Sequence, residues 1–250
     1  MEQLRIPGPT PVPDEVLKAM SRQMINHRGE EFWQILAKVT ANLKQLFQTK
    51  NDAFVLTGSG TGGMEAAIVN TLSPGDRVLS VSIGAFGERF ATIAEQFGAE
   101  VISLRFEWGK AADVDAVRQA LHAEPEIKAV LVTHNETSTG VTNDLASISS
   151  AAKEFDKLLL VDAISSLGSL NLPVDNWHCD VAATGSQKGW MAPRVWPWLV
   201  LAPKRGKPMP KPGCPASTGT SPKRRAIWKK DRHRGHQPLR QYSPCPYRWK

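Results

Sequence analysis

DAFVLTGSGTGGMEAAIVNTL, residues 52–72, reads as a strand, a glycine-rich turn and a helix. DAFVLT (52–57) is β-prone, MEAAIVNTL (64–72) is apolar at helical spacing, and the SPGD that follows is a turn with a helix-stop signal. Outward from this unit the alternation continues. RVLSVS (77–82) predicts a strand, and FGERFATIAEQFG (86–98) a helix closed by a glycine at its C′ position. EVISLRF (100–106) is a strand, and DVDAVRQALHA (113–123) a helix that Asp113 would cap. IKAVLVTH (127–134), KLLLVDA (157–163) and CDVAATGS (179–186) add strands, with a helix, DLASISSAAKEF (144–155), before the second of them. Such alternation predicts an α/β fold, a mainly parallel sheet with helices on both faces. Ligands in these folds sit beyond the carboxyl ends of the strands. No internal repeat is present.

The net charge of +7 belongs to one end of the 250-residue chain. Residues 194–250 hold 15 Lys+Arg against one acid, Asp231, leaving 16 bases against 23 acids in residues 1–193. Residues 194–250 also hold 10 of the 18 prolines and four of the eight tryptophans, so the basic balance says nothing about partners of the body. No stretch approaches the roughly 20 apolar residues of a membrane helix, and MEQLRIPGPTPVPDE lacks the apolar core of a secretory signal. Cys179, Cys214 and Cys245 cannot build a disulfide framework or a four-cysteine metal site. A reducing, cytoplasmic setting is expected.

Three polar clusters follow predicted strands. Ser59, Gly60 and Thr61 lie between a strand and a helix, where backbone N–H groups and the helix dipole favour an anion. The segment is not a Walker loop, since no Gly-Lys-Ser/Thr follows, and a plain tight turn is an equal reading. Asp162 ends the apolar run LLLVDA, where a carboxylate is costly to bury unless paired; it caps the next segment or faces a cationic ligand nitrogen. Lys188, in ATGSQKGW, is either a solvated loop lysine or one pressed into a partly apolar site, able to form a Schiff base. His134 has no second His or carboxylate at ligand spacing, so a satisfied structural role is expected and no metal site.

Together, a phosphate-binding turn, a strand-end Asp and a Lys 26 residues later match a pyridoxal phosphate site. The wording of IPGPTPVP (6–13), HRGEEF (27–32), TGSGTGGMEAAIVN (57–70), LSPGDRVL (72–79), GAFGERF (84–90), THNETSTGV (133–141), LLLVDAISSLG (158–168) and TGSQKGWMAP (184–193) resembles the class V aminotransferases of the fold type I pyridoxal enzymes. Within them the chain looks like the alanine/serine–glyoxylate branch. The resemblance covers residues 6–193 and implies pyridoxal 5′-phosphate as cofactor. Ser59, Gly60 and Thr61 would hold its phosphate, with Gln187. Phe86 would stack on the ring, Thr137 would reach the ring hydroxyl, and Asp162 would keep the ring nitrogen protonated. Lys188 would be the Schiff-base lysine and the proton carrier. Gly8, Thr10 and Asn135 would line the substrate side. The implied activity moves an amino group from serine or alanine to glyoxylate or a similar 2-oxo acid, in a homodimer.

Other readings make distinct demands. A cysteine desulfurase needs a nucleophilic Cys on a mobile loop and stacks a His where Phe86 stands; Cys179 precedes a strand and reads as buried. Members of this branch sometimes bear a soluble hydrogenase subunit label. Nickel or iron–sulfur chemistry draws on cysteine clusters and the chain has no CxxC, so the label would mean an accessory subunit. The basic Trp- and Tyr-bearing tail would grip phosphates and stack bases in a nucleic-acid-binding protein, though nucleic acid is not the expected partner of the body.

After TGSQKGWMAP the family continues with a strand resembling PGLAMVS and a second, smaller domain, whereas this chain reads RVWPWLVLAP. Trp is encoded only by TGG and Pro codons begin CC. A one-base shift across Trp196–Pro197 therefore forces alanine and permits Gly-Leu-Ala-Met-Val. The same shift of WKKDRHRGHQP (228–238) permits EKGQTPWTPA, also family-like. The expected organisation is thus a cofactor-binding body at 1–193 and a basic tail at 194–250, disordered or out of frame. The small domain would be absent, and the chain inactive as it stands.

Overall fold

The computed structural model describes residues 4–193 and the backbone of 197–201. Two helices precede the sheet: α1 (Asp14–Met20) and α2 (Glu30–Leu46). The alternating part then runs β1 (Asp52–Val55), α3 (Gly60–Thr71), β2 (Arg77–Ser82), α4 (Ala85–Gln96), β3 (Glu100–Arg105) and α5 (Val114–Ala123). It continues through β4 (Ala129–Thr133), α6 (Leu145–Glu154), β5 (Leu158–Asp162), β6 (Val181–Gly185) and β7 (Pro197–Leu201). The sheet order is β1-β7-β6-β5-β4-β2-β3. β3, β2, β4, β5 and β6 pair in parallel, and β7 runs antiparallel between β6 and β1.

The period of two along each strand divides the core into two layers. Val130, Val132, Leu159 and Val161 face Val117 and Leu121 of α5 and Ile148 of α6. Their neighbours Ala129, Leu131, Leu158 and Leu160 face Met64 and Ile68 of α3 and Phe90 and Ile93 of α4. Strands covered on both faces read as unbroken apolar runs, which is why β4 and β5 are buried at every position.

The predicted strands and helices from residue 52 to 186 are all present, with ends moved by up to four residues. Asp113 caps α5 by accepting from the Asp115 N–H. The largest shift is at α3, which begins at Gly60 rather than Met64: Ser59 accepts from the Gly62 N–H and carries the glycines into the first turn. α1 and α2 were not expected from the pattern. No residue of α1 is buried, and only Leu43 of α2. β7 lies inside the segment read as a tail. Its run PWLVL is apolar and β-prone, and it pairs with strands on both sides. The rest of the expected disordered or out-of-frame segment lies outside the described residues.

Candidate active site

Five connections leave the carboxyl ends of strands and meet over one cleft of about 180 Å³. The turn after β1 brings Gly60 and Thr61, that after β2 brings Phe86, and that after β4 brings Thr137. Asp162 is the last residue of β5, and Gln187 and Lys188 follow β6. Gly8 closes the cleft from the N-terminal segment.

Asp162 is 3% exposed. Its carboxylate accepts from the Ile164 N–H at 2.9 Å and from Thr133 Oγ1 at 3.5 Å. Burial pushes its carboxyl up to about 7; the Ile164 N–H opposes the rise and the nearby Glu136 carboxylate adds to it. This is a carboxylate set to meet a cation rather than water.

Lys188 is half-buried, and its Nζ donates to the Pro7 carbonyl at 2.7 Å. Thr10 holds the same loop: its Oγ1 donates to the Lys188 carbonyl at 2.9 Å and its N–H to the Gln187 carbonyl at 3.0 Å. Gly8 has φ +140°, and a Cβ there would lie 2.7 Å from Lys188 Nζ, so the chain passes the amine only without a side chain.

Of the residues singled out from sequence, Ser59, Thr10 and Asn135 do not line the cleft. Ser59 uses its hydroxyl as the α3 cap. Asn135 donates to Thr142 Oγ1 at 2.8 Å and accepts from Ser165 Oγ at 3.0 Å, which holds its amide within the loop. Ser165 itself lines the cleft, as do Met64, Ile164 and Arg89, none of which sequence reading had found. Arg89 stands one helical turn after Phe86, its guanidinium 4.8 Å from the Phe86 ring centroid. That i,i+3 spacing puts Arg89 on the Phe86 face of α4 but does not say which way the face turns.

His134 is buried with its Nδ1 unpartnered among the described residues, so the expected hydrogen-bonded role is only partly met; its ring packs edge-on against Trp177. Burial pushes the His134 imidazole down to about 4. Cys179 is buried as expected, and burial pushes its thiol up to about 12, unlike a nucleophile. Among the described residues no cluster of three His, Cys, Asp or Glu is placed to hold a metal, and no helix is long and apolar enough to cross a membrane.

Comparison with known proteins agrees with this layout. The family model "Aminotransferase class-V" matches residues 4–194. The "Soluble hydrogenase 42 kDa subunit" of Anabaena cylindrica is 49% identical over 204 residues, covering 80% of this chain and 53% of that protein. The serine–glyoxylate aminotransferase of Methylorubrum extorquens is 40% identical over 195 residues, covering 76% of this chain and 48% of its own length. Among solved structures, the subgroup IV aspartate aminotransferase of Thermus thermophilus superposes with a TM-score of 0.77 at 34% identity, over 81% of this chain and 57% of that one. The chain thus spans about half the length of the relatives it matches. The chain belongs to the class-V aminotransferase family.

Proposed function

We propose that this chain carries the cofactor-binding part of a pyridoxal-phosphate-dependent aminotransferase, moving an amino group from a small amino acid such as serine or alanine to glyoxylate or a similar 2-oxo acid. The observation that carries the reading is the meeting of a buried carboxylate, a primary amine and a helix N-terminus in one cleft. The donor set fits the cofactor. Asp162, buried with two hydrogen-bond donors, suits a protonated pyridine nitrogen. The α3 N-terminus has no acidic residue in its first turn, and Gly60 and Thr61 face the cleft, which suits a phosphate. Gln187 offers an amide to the same group, Phe86 a flat apolar face, and Thr137 a hydroxyl for the ring hydroxyl. The glyoxylate-specific name of a relative supports the substrate class.

Pyridoxal phosphate, when bound, supplies an electron-withdrawing ring that stabilises the charge left at an amino acid Cα as its proton departs. Asp162 would hold the proton on the ring nitrogen. Lys188 would anchor the cofactor and then carry the Cα proton, as base and afterwards as acid. Thr10, bonded to the Lys188 carbonyl, would fix the point from which the amine works. Phe86 would exclude water from one face.

The division into a body at 1–193 and a tail at 194–250, the homodimer and the cytoplasmic setting belong to the same proposal. What supports the homodimer is α2, which leaves Trp33, Ile35 and Val39 exposed. The test is borohydride fixation of pyridoxal phosphate to the full chain. Lys188→Ala is expected to abolish the fixed adduct at the active-site peptide, and an adduct persisting on that peptide overturns the assignment.

A further inference from the structure

Resting on the cofactor reading above, we infer that Glu136 is a positioning residue whose buried carboxylate ties the Thr137 loop to the first turn of α4 and thereby sets the Phe86 ring. Glu136 is fully buried, 50 residues in sequence from Phe86. Its Oε2 accepts from the Phe86 and Gly87 N–H groups, each at 3.1 Å. Its Oε1 accepts from the Ser138 N–H at 3.1 Å and Ser138 Oγ at 2.7 Å. Ser138 Oγ in turn accepts from the Ala85 N–H at 3.1 Å. The backbone of Glu136 is fixed as well: its N–H donates to the Val141 carbonyl at 2.8 Å, and its carbonyl accepts from the Gly140 N–H at 2.7 Å.

Helix capping alone does not account for this arrangement. A local Ser or Asp at the N-cap would satisfy α4, yet the N-cap is Gly84, which has no side chain to offer. A Cβ on Gly84 would lie 2.6 Å from both Glu136 Cγ and Ser138 Oγ, so the helix start is cut back to admit a carboxylate from another loop. That loop carries Thr137, and the amides it grips belong to Phe86 and its neighbour. The two groups assigned to the ring hydroxyl and the ring face are therefore joined through one side chain. Among the described residues Glu136 forms no ion pair, and its charge opposes the ionisation of Asp162, itself raised first by burial. The Glu136 side chain accepts from donors of two segments, the first turn of α4 and its own loop.

The full chain is titrated with pyridoxal 5′-phosphate, affinity being read by absorbance and ring orientation by the circular dichroism induced in the bound cofactor. Glu136→Gln keeps the size but turns an amide donor toward other donors. It is expected to weaken binding roughly tenfold and to shrink or invert the induced band. Ser138→Ala removes the bond from the Ala85 N–H but leaves both Glu136 bonds to α4, and is expected to stay within about threefold of wild type. Val117→Ala, a core truncation in α5, controls for lost stability by its urea midpoint. Wild-type affinity and band in Glu136→Gln overturn the proposal. So does a Val117→Ala chain of matched stability that loses as much, because Glu136 is then only a brace. A wild-type chain that binds no cofactor overturns the cofactor reading and this one with it.

Discussion

Burial pushes the Asp162 carboxyl up to about 7, so over a window of pH the folded chain keeps a proton that the unfolded chain has released. Between the ordinary value of 3.8 and about 7 the folded state binds more protons. The contribution of Asp162 to stability is therefore full below the lower value and is lost as pH rises through the upper one, by on the order of 4 kcal/mol. His134 works the other way: its folded value of about 4 lies below 6.5, so its contribution is lost as pH falls through that range. Asp162→Asn separates the two. Urea midpoints at about pH 5 and about pH 8 should show wild type losing stability against the variant at the higher pH. Identical slopes would show that Asp162 does not titrate there. Cofactor is still expected to bind the variant, and the same substitution in a frame-restored chain should lower turnover by roughly a hundredfold or more. Asp162 was legible because an ionisable group at the end of an apolar run is costly unless used, and Lys188 because the family resemblance marked it. Glu136 and Arg89 were not. Glu136 acts through amides 50 residues away, and Arg89 lies in a helix whose face toward the cleft is fixed only by the sheet.

At the scale of elements, the segment Pro7–Thr10 behaves as a strap across Lys188. Pro7 accepts from the amine, Thr10 donates to the backbone behind it, and Gly8 passes between with no room for a side chain. Gly8→Ala should therefore push either the strap or the amine aside. The expected outcome is a slowing of borohydride-fixable attachment by roughly tenfold or more, with near-wild-type affinity for pyridoxamine phosphate, which needs no amine attack. Equal loss for both compounds would mean that the whole cleft has collapsed. The strap was only half legible: the resemblance marked Gly8 and Thr10 as substrate-side residues, while their grip on Lys188 spans nearly the whole body in sequence. The strands were legible because both faces are buried and the apolar runs stand between turns. α1 and α2 escaped because, among the described residues, Leu43 is their only buried position, while apolar positions such as Trp33 and Val39 are exposed.

For the whole molecule the question is which sequence completes the sheet. The slot between β1 and β6 is filled by the backbone of Pro197–Leu201. A ladder is made by the main chain, and the shifted reading Gly-Leu-Ala-Met-Val is equally apolar and β-prone, so the slot does not choose between frames. Two other observations favour the shift: the family match ends at residue 194, and the charge balance changes sign at the same place. We propose a one-base frameshift near Arg194. Residues 194–250 hold 15 Lys+Arg against one acid, a composition unlike that of the body. Residues 1–250 and a gene with the frame restored should be expressed side by side, with the gene sequenced across Pro193–Arg194. The restored chain is expected to be a dimer by sedimentation and to transfer amino groups to glyoxylate. The 250-residue chain is expected to show no turnover, although it contains every residue assigned to the cofactor. Equal transamination by the two would make the basic tail a working part of the enzyme and end the frameshift proposal.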